Sequence, residues 1–227
     1  MCGRFTQAMT WQEMHELYSL SPAAPPTNMQ PRYNGAPTQM FAVCRMESGQ
    51  ELQLAVLRWG LVPFWAKDKR IASRLINARS ETFWSKPSFR AAAKTRRCLV
   101  PANGWFEWKQ AGKRKQPYYI TGADDAPISF GGLWERWNGE ADVLDTFTIL
   151  TKDADPKLSN VHHRQPVLIP AASAREWIDP VTPRERVDEI ISQPLVVDIG
   201  FRLVSTQVNS VRNNGPEVLD EIASQLA

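Results

Sequence analysis

Hydrophobic and polar residues alternate along much of the chain with the two-residue period of β-strands. The runs QMFAVCRM and ELQLAVLRWG flank the short segment ESGQ and predict a β-hairpin. Later runs predict further strands: RRCLVPA, GWFEWKQ, QPYYIT, PISFGGLWER, DTFTILTKD, PLVVDI and FRLVST. Strands are therefore expected to predominate.

Helical spacing of hydrophobic residues is confined to short segments. In TWQEMHELYSL, Thr10 is followed three residues later by Glu13, the pattern of a capping box. The hydrophobic residues of this segment fall on one stripe: Trp11, Met14, Leu17 and Tyr18. SETFWSKPSFRAAAKT predicts two helical turns interrupted by Pro87, and SAREWI and RERVDEII predict later helices.

The proline-rich segment SPAAPPTNMQPRYNGAPT suits neither a helix nor a central strand and predicts a loop laid across a surface. No internal repeat or low-complexity linker divides the chain. We therefore predict an α+β fold with a single β-rich domain over residues 2–227, built as a barrel-like or folded mixed sheet with peripheral helices.

Charge is distributed unevenly, although the net charge is only +3. Residues 67–115 contain fourteen Lys or Arg against three acids, whereas residues 116–227 contain nine against seventeen. A concentrated basic region is typical of proteins that bind polyanions, because cations that neutralise phosphates release counterions. The alternative is a solvated face whose charge is cancelled by the acidic half, and charge alone favours neither.

The stretch RWGLVPFWAKD brings aromatic residues next to cations: Arg58, Trp59, Phe64, Trp65 and Lys67. Aromatic rings stack on unpaired bases of any identity and cations follow the backbone, so the composition suits single strands better than duplexes. Most tryptophans of a domain lie in its core, so we expect at most two or three of the nine to contact a ligand.

The three cysteines are Cys2, Cys44 and Cys98, and the chain has neither a signal-peptide pattern nor an apolar stretch of membrane length. We expect a reducing, cytoplasmic location and no membrane association. Cys44 and Cys98 lie in apolar strand-like runs and are expected to be inert core thiols.

Cys2 differs because of its position. If Met1 is removed, as is general when a small residue follows, Cys2 carries a free α-amine and a thiol on one carbon. The amine of such a 1,2-aminothiol condenses with an aldehyde to an imine, and the thiol closes a thiazolidine ring. The alternative is an accidental small residue at a frayed terminus.

In GWFEWK, strand alternation places Trp105, Glu107 and Lys109 on one face. Glu107 would then be a lone carboxylate among aromatic residues, where burial raises its pKa and suits it to acid/base work. The alternative is an exposed glutamate paired with Lys109 or Arg114.

The motif SNVHHRQP places a phosphate-binding type of residue, Arg164, beside His162 and His163, which are candidates for acid/base catalysis. A zinc site built from Cys2 and the two histidines is disfavoured because C-x-x-C and H-E-x-x-H spacings are absent. We expect neither a metal nor a cofactor.

In RLINARSETF, Asn77, Arg79 and Glu81 alternate and would project to one side of an extended segment. This arrangement suits a hydrogen-bonding amide and a phosphate-binding arginine. A satisfied turn network is the alternative.

Taken together and in order, MCGRF, RYNGAPT, WGLVPFWAKD, INARSET, GWFEWK and HHRQP resemble the SOS-response-associated peptidase family, the abasic-site processing proteins. The resemblance runs from Cys2 to about Arg212. It implies a compact β-rich α+β fold with a basic channel for single-stranded DNA that ends at the mature N-terminus. It also implies a covalent thiazolidine between Cys2 and the open-chain aldehyde of an abasic deoxyribose, with slow self-reversal.

The resemblance further implies a role for individual residues. Cys2 supplies both nucleophiles, Asn77 orients the terminus or the sugar, Glu107 shuttles protons and His162 is the second acid/base. The implied DNA contacts are Arg4, Arg79 and Arg164 on phosphates, and Asn34, Pro37, Trp65 and Trp105 around the splayed strand.

The chain departs from the family pattern at three positions. His163 and Gln165 replace the more usual Asp or Asn and Met, which leaves two adjacent imidazoles, although motif order points to His162. Gly35 is smaller than the usual residue, and we expect a looser loop there.

Two other functions remain as alternatives. One is a peptidase in which Cys2 is an N-terminal nucleophile, and the other is a non-covalent binder of single-stranded nucleic acid. For the favoured function we expect a monomer associated with the cytoplasmic nucleoid, whose partner is single-stranded DNA containing an abasic site.

Overall fold

The computed structural model describes residues 2–20, 30–47, 51–140, 142–194 and 198–223. The strands are β1 Phe5–Gln7, β2 Arg32–Gly35, β3 Met40–Met46, β4 Leu52–Trp59, β5 Asn77–Arg79, β6 Arg97–Ala102, β7 Gly104–Ala111, β8 Arg114–Gly122, β9 Ile128–Asn138, β10 Val143–Asp153, β11 Arg164–Pro166 and β12 Ile199–Leu203. The helices are α1 Trp11–Leu17, α2 Arg90–Thr95, α3 Pro156–Ser159, α4 Ala174–Ile178 and α5 Arg184–Ser192. The predicted β-rich α+β class is confirmed.

Five strands close into a mixed barrel in the order β10, β4, β3, β6, β9 and back to β10. Neighbouring strands are antiparallel except β4 and β10, which are parallel through Thr146 opposite Arg58 and Phe147 opposite Trp59. Beyond the end of β4, β10 pairs instead with β5 and β11. These two short strands extend the barrel wall on one side, and β5 carries Asn77.

A second, five-stranded sheet has the order β12, β8, β7, β1, β2 and is antiparallel throughout. Its residues Phe5 and Trp105 belong to the same buried cluster as Trp59 and Phe130 of the barrel. The Phe5 ring lies 5.1 Å from that of Trp59 and 5.8 Å from that of Phe130. Such close aromatic packing fixes the N-terminal strand against the barrel.

The predicted local signals for helices are confirmed at two places. In α1, Thr10 Oγ1 accepts the Glu13 N–H and Glu13 Oε2 accepts the Thr10 N–H, which is a capping box. α2 begins at Arg90, after Pro87 has prevented a longer helix. No helix among the described residues is long and apolar enough to cross a membrane.

The proline-rich segment needs a correction. Its part 21–29 lies outside the described residues, as do 48–50 of the hairpin turn and 195–197 of the PLVVDI run. Its later part is not a loop, because Arg32–Gly35 forms β2. Prolines flank this strand without interrupting it, and an edge strand pairs on one side only.

Gly35 does not loosen this region, contrary to expectation. A Cβ atom at position 35 would lie 2.6 Å from the Phe41 ring and 2.8 Å from the Phe5 carbonyl oxygen. Glycine is therefore needed for the close packing of β2 on Phe41.

Candidate active site and nucleic-acid interface

Four predicted catalytic residues come from four different segments of the chain. Cys2 lies three residues before the start of β1, and Glu107 lies in the neighbouring strand β7. Asn77 begins β5, and His162 lies in the turn between α3 and β11. The first two belong to the five-stranded sheet and the other two to the extension of the barrel, so the site forms where the two sheets meet.

Asn77 holds the main chain of Cys2. Its Nδ2 donates a 2.7 Å hydrogen bond to the Cys2 carbonyl oxygen. Its Oδ1 is buried and accepts no hydrogen bond from the described residues. The amide therefore fixes one atom of Cys2 and keeps one acceptor available beside it.

Glu107 is buried, with 3% of its surface exposed. Burial raises the pKa of its carboxyl group to about 7. At neutral pH the group is therefore close to half protonated and can both donate and accept a proton. The expected aromatic, buried environment is what the structure has, and the alternative of an exposed glutamate does not hold.

His162 faces Glu107, with 3.9 Å between Nε2 and Glu107 Oε2. The Arg164 backbone N–H donates to His162 Nδ1 at 3.0 Å. The Arg164 carbonyl oxygen lies 3.1 Å from the same nitrogen, so Nδ1 is held between a donor and an acceptor of one residue. Burial lowers the pKa of His162, so at neutral pH a largely uncharged imidazole lies beside a carboxyl group that is about half ionised.

The second imidazole, His163, is exposed and stacks on His162 with ring centroids 4.4 Å apart. Of the two histidines, the structure places His162 next to Glu107. No group of three or more His, Cys, Asp or Glu among the described residues is arranged to hold a metal ion.

The Cys2 side chain has no exposed surface. Burial, and secondly the charge of Glu107, raise the pKa of its thiol well above the ordinary value. The thiol is therefore protonated at neutral pH and needs a base to react. Cys44 and Cys98 are equally buried and have raised thiol pKa values, in agreement with their predicted place in the core.

Two of the predicted DNA contacts, Arg4 and Asn34, bind the C-terminal segment, and a phosphate contact by Arg4 stays a prediction. Arg4 Nη1 donates to Asn34 Oδ1 and to the Val208 carbonyl, each at 2.7 Å. Asn34 is 1% exposed, and its Nδ2 donates to the carbonyls of Val208, Ser210 and Asn213. This corrects the assignment of Asn34, which anchors the C-terminal segment to β2. Arg4 is half-buried in the same network.

The tryptophans predicted to contact DNA also differ in their exposure to solvent. Trp105 has no exposed surface and packs with its ring 6.0 Å from that of Phe130, so it is corrected from a DNA contact to a core residue. Trp59 is equally buried. Trp65 is 48% exposed beside Phe64 at 58%, and it is the only exposed tryptophan of the nine, all of which are described.

Arg164 has partners within the protein, which sequence reasoning missed. Its guanidinium is 6% exposed and lies 2.6 Å from both Glu81 and Asp153. A phosphate contact by Arg164 stays a prediction, and it would require these ion pairs to open. Arg79 is exposed and Pro37 half-buried, and their DNA contacts also stay predictions.

An open groove of about 740 Å³ lies along the segment that leads to Asn77. It is lined by Trp65, Ala66, Lys67, Asp68, Arg70, Ile71, Ser73 and Arg74. Lys67, Arg70 and Arg74 are exposed, and Asp68 is paired with Arg70 at 2.6 Å. Arg74 precedes Asn77 by three residues, so the basic wall of the groove continues into the segment that holds Cys2. The charge excess of 67–115 signalled this surface without distinguishing Arg70 and Arg74.

Comparisons with known proteins agree with the resemblance. Residues 1–211 match the model of the family described as SOS response associated peptidase (SRAP). The chain is 36% identical to abasic site processing protein YoqW of Bacillus subtilis (strain 168), over 97% of this chain and 99% of that protein. It is 30% identical to abasic site processing protein HMCES of Pongo abelii, over 96% of this chain and 75% of that protein.

The fold is likewise similar to that of a solved protein. A crystal structure from Bacteroides thetaiotaomicron superposes with a TM-score of 0.86, covering 98% of this chain and 100% of that chain. The two sequences are 22% identical, so this likeness concerns the fold alone.

Proposed function

The chain belongs to the SOS response associated peptidase family, and on that premise we propose that it processes abasic sites in single-stranded DNA by a covalent bond through Cys2. The observation that carries the proposal is the meeting of four residues where the two sheets join, with the charge of Glu107 acting on the Cys2 thiol. Asn77 binds the Cys2 main chain at 2.7 Å, and Glu107 lies 3.9 Å from His162 with a pKa of about 7.

The proposed reaction begins after removal of Met1, because an acylated nitrogen cannot form an imine. The Cys2 amine attacks C1′ of the open-chain deoxyribose aldehyde to give a carbinolamine. Loss of water from this adduct gives the imine. The thiol sulfur then adds to the same carbon, its proton ends on the nitrogen, and a thiazolidine results. The net change is one water released for each protein–DNA bond formed.

Glu107 and His162 would move the protons in these steps. The free amine and the thiol both have ordinary pKa values above neutrality, so each must lose a proton to react. The Glu107 carboxylate can accept it, and its protonated form can donate to the departing hydroxyl. The His162 ring, whose Nε2 faces Glu107, can act as the second acid/base and take part in opening the closed sugar.

Asn77 would act by position. Its bond to the Cys2 carbonyl fixes the residue whose amine and thiol both react, which lowers the entropic cost of two successive attacks on one carbon. The available Oδ1 suits a hydrogen bond from the amine or from a sugar hydroxyl.

Ring closure would protect the strand. An open imine at C1′ acidifies the neighbouring carbon and invites β-elimination with strand cleavage, whereas a thiazolidine does not. Each step is reversible, so Glu107 could also assist slow release. The basic groove, with exposed Trp65 at its edge, suits the strand that carries the lesion.

The test is adduct formation by Met1-trimmed protein with a single-stranded oligonucleotide carrying one abasic site. We expect a heat-stable band on a denaturing gel, with an intact mass equal to protein plus DNA less one water. Cys2→Ala abolishes the band, whereas Cys98→Ala, which removes another buried thiol, retains it. If Cys2→Ala forms the same adduct, the proposal is wrong. Binding without an adduct would favour the non-covalent binder, and cleavage of added peptides would favour the peptidase.

A further inference from the structure

Glu81 and Arg164 form a tight internal contact that the proposed chemistry does not use. Arg164 Nη1 lies 2.6 Å from Glu81 Oε1, and Nη2 lies 3.0 Å from Oε2, so the pair is bidentate. Arg164 Nη1 also binds Asp153 at 2.6 Å, and Nη2 donates to the Thr151 carbonyl at 2.7 Å. The guanidinium is thus held on three sides, in the geometry where arginine pairs are strongest.

This cluster joins the two segments that carry Asn77 and His162. Glu81 follows β5, and the preceding Ser80 N–H donates to the Thr151 carbonyl at 2.9 Å. That same carbonyl accepts Arg164 Nη2. Glu81 and Arg164 therefore bind the β5 and β11 ends to one point of β10.

The cluster also reaches the His162 ring. The Arg164 backbone holds His162 Nδ1 on two sides, with its N–H at 3.0 Å and its carbonyl oxygen at 3.1 Å. The other ring nitrogen, Nε2, faces Glu107 at 3.9 Å. Any shift of the Arg164 main chain would therefore rotate the imidazole or break both contacts of Nδ1.

We propose that Glu81 is a positioning residue, which acts through Arg164 to hold the His162 ring with its Nε2 facing Glu107. The expected effect on the adduct rate rests on the proposed function, whereas the expected effect on the His162 ring does not. Other charged groups near the His162 ring are the stacked His163 and the Arg164 guanidinium, besides Glu107.

Glu81 carries this role rather than Asp153. The Asp153 side chain is 88% exposed and makes one contact to Arg164, whereas Glu81 is 46% exposed and makes two. An exposed, single contact contributes little to holding a side chain in place.

The test compares Glu81→Gln, Glu81→Asp and the control Glu189→Gln, which makes the same chemical change at an exposed pair with Arg186 on α5. The first readout is the His162 tautomer, measured from long-range ¹H–¹⁵N NMR correlations of the free protein. We expect one and the same tautomer in the parent and in Glu189→Gln, a mixture of tautomers in Glu81→Gln, and partial return to the parent tautomer in Glu81→Asp.

The second readout is adduct formation at saturating abasic DNA. We expect about a tenfold slower rate in Glu81→Gln, partial rescue in Glu81→Asp, and no change in Glu189→Gln. An unchanged tautomer in folded Glu81→Gln overturns the inference, even if DNA affinity changes because Arg164 is released to bind phosphate. If the parent forms no adduct, the proposed function fails, while the tautomer measurement still decides the role of Glu81.

Discussion

The buried site and the basic groove differ in how far their ionisable groups are exposed to solvent. In the site, Cys2 and Glu107 are hidden from water, and burial shifts the pKa values of Cys2, Glu107 and His162. In the groove, the cations of Lys67 and Arg74 are exposed to solvent.

The difference indicates a division of labour. A buried group interacts strongly because little water screens it, so small displacements change its reactivity. Exposed cations gain little from any single contact, but together they attract and align a phosphate backbone. Substitutions in the site should therefore change rate, and substitutions in the groove should change affinity.

The largest effect is expected for Asn77→Ala. Loss of the 2.7 Å hydrogen bond to the Cys2 carbonyl frees the residue that attacks twice, so the adduct rate at saturating DNA should fall by about 10²-fold or more. Quenched denaturing gels follow the rate of adduct formation. The affinity for DNA should stay within about twofold of the parent. If the affinity fell as much as the rate, the assignment of rate to the site and of affinity to the groove would be wrong.

Glu107→Gln should separate function from stability. Its amide cannot transfer the proton, so the rate should fall by about 10²-fold. The folded pKa of about 7 exceeds the unfolded value, so the stability due to the protonated group is present below about pH 4 and lost as pH rises through 7.

Glu107→Gln removes this loss and should therefore stabilise the protein at pH 8 by on the order of 3 kcal/mol relative to its parent. Thermal unfolding at pH 5 and pH 8 measures the difference. Equal pH dependence in the two proteins would contradict the assigned burial of the carboxylate.

Trp65→Ala tests the exposed side of the comparison. Loss of one stacking surface should weaken binding of single-stranded DNA by about tenfold, with an unchanged melting temperature. Trp105→Ala is its counterpart in the core and should lower the free energy of unfolding by about 3–5 kcal/mol. Fluorescence anisotropy measures DNA binding by both variants, and thermal unfolding measures their stability. If Trp65→Ala destabilised the fold without weakening DNA binding, the role assigned to Trp65 would be wrong.

The smallest effect is expected for the double substitution Lys67→Ala with Arg74→Ala. Affinity should fall several-fold, and the slope of log affinity against log salt should become shallower by about 1.4, because two phosphate contacts to a single strand are lost. Lys94→Ala, an exposed cation outside the groove, is the control. If the salt dependence of the affinity were unchanged, the single-stranded DNA would not bind in this groove.

Much of the fold could be predicted because antiparallel strands with one buried face show a two-residue period. The hairpin of β3 and β4 and the strands β6 to β10 follow from it. Barrel closure could not be predicted, since alternation indicates which side chains share a face but not which strands become neighbours. β2 was missed because a four-residue edge strand near prolines resembles a loop.

The site was predicted unevenly for a related reason. The motif order identified Cys2, Asn77, Glu107 and His162, which the structure brings together. Alternation on β7 correctly grouped Trp105 with Glu107, but it could not tell that the shared face is buried. The carbonyl groups that the Asn34 side chain binds lie 174 or more residues away in sequence, beyond any local pattern.

The central claim is ring closure by the Cys2 thiol after attack by the Cys2 amine. The most direct measurement is the intact mass of Met1-trimmed parent and Cys2→Ser after incubation with abasic single-stranded DNA, with and without borohydride. The account predicts a stable adduct for the parent without reductant, whereas Cys2→Ser, which keeps the amine, gives one only when borohydride reduces the imine. A stable adduct of Cys2→Ser without reductant would contradict the account.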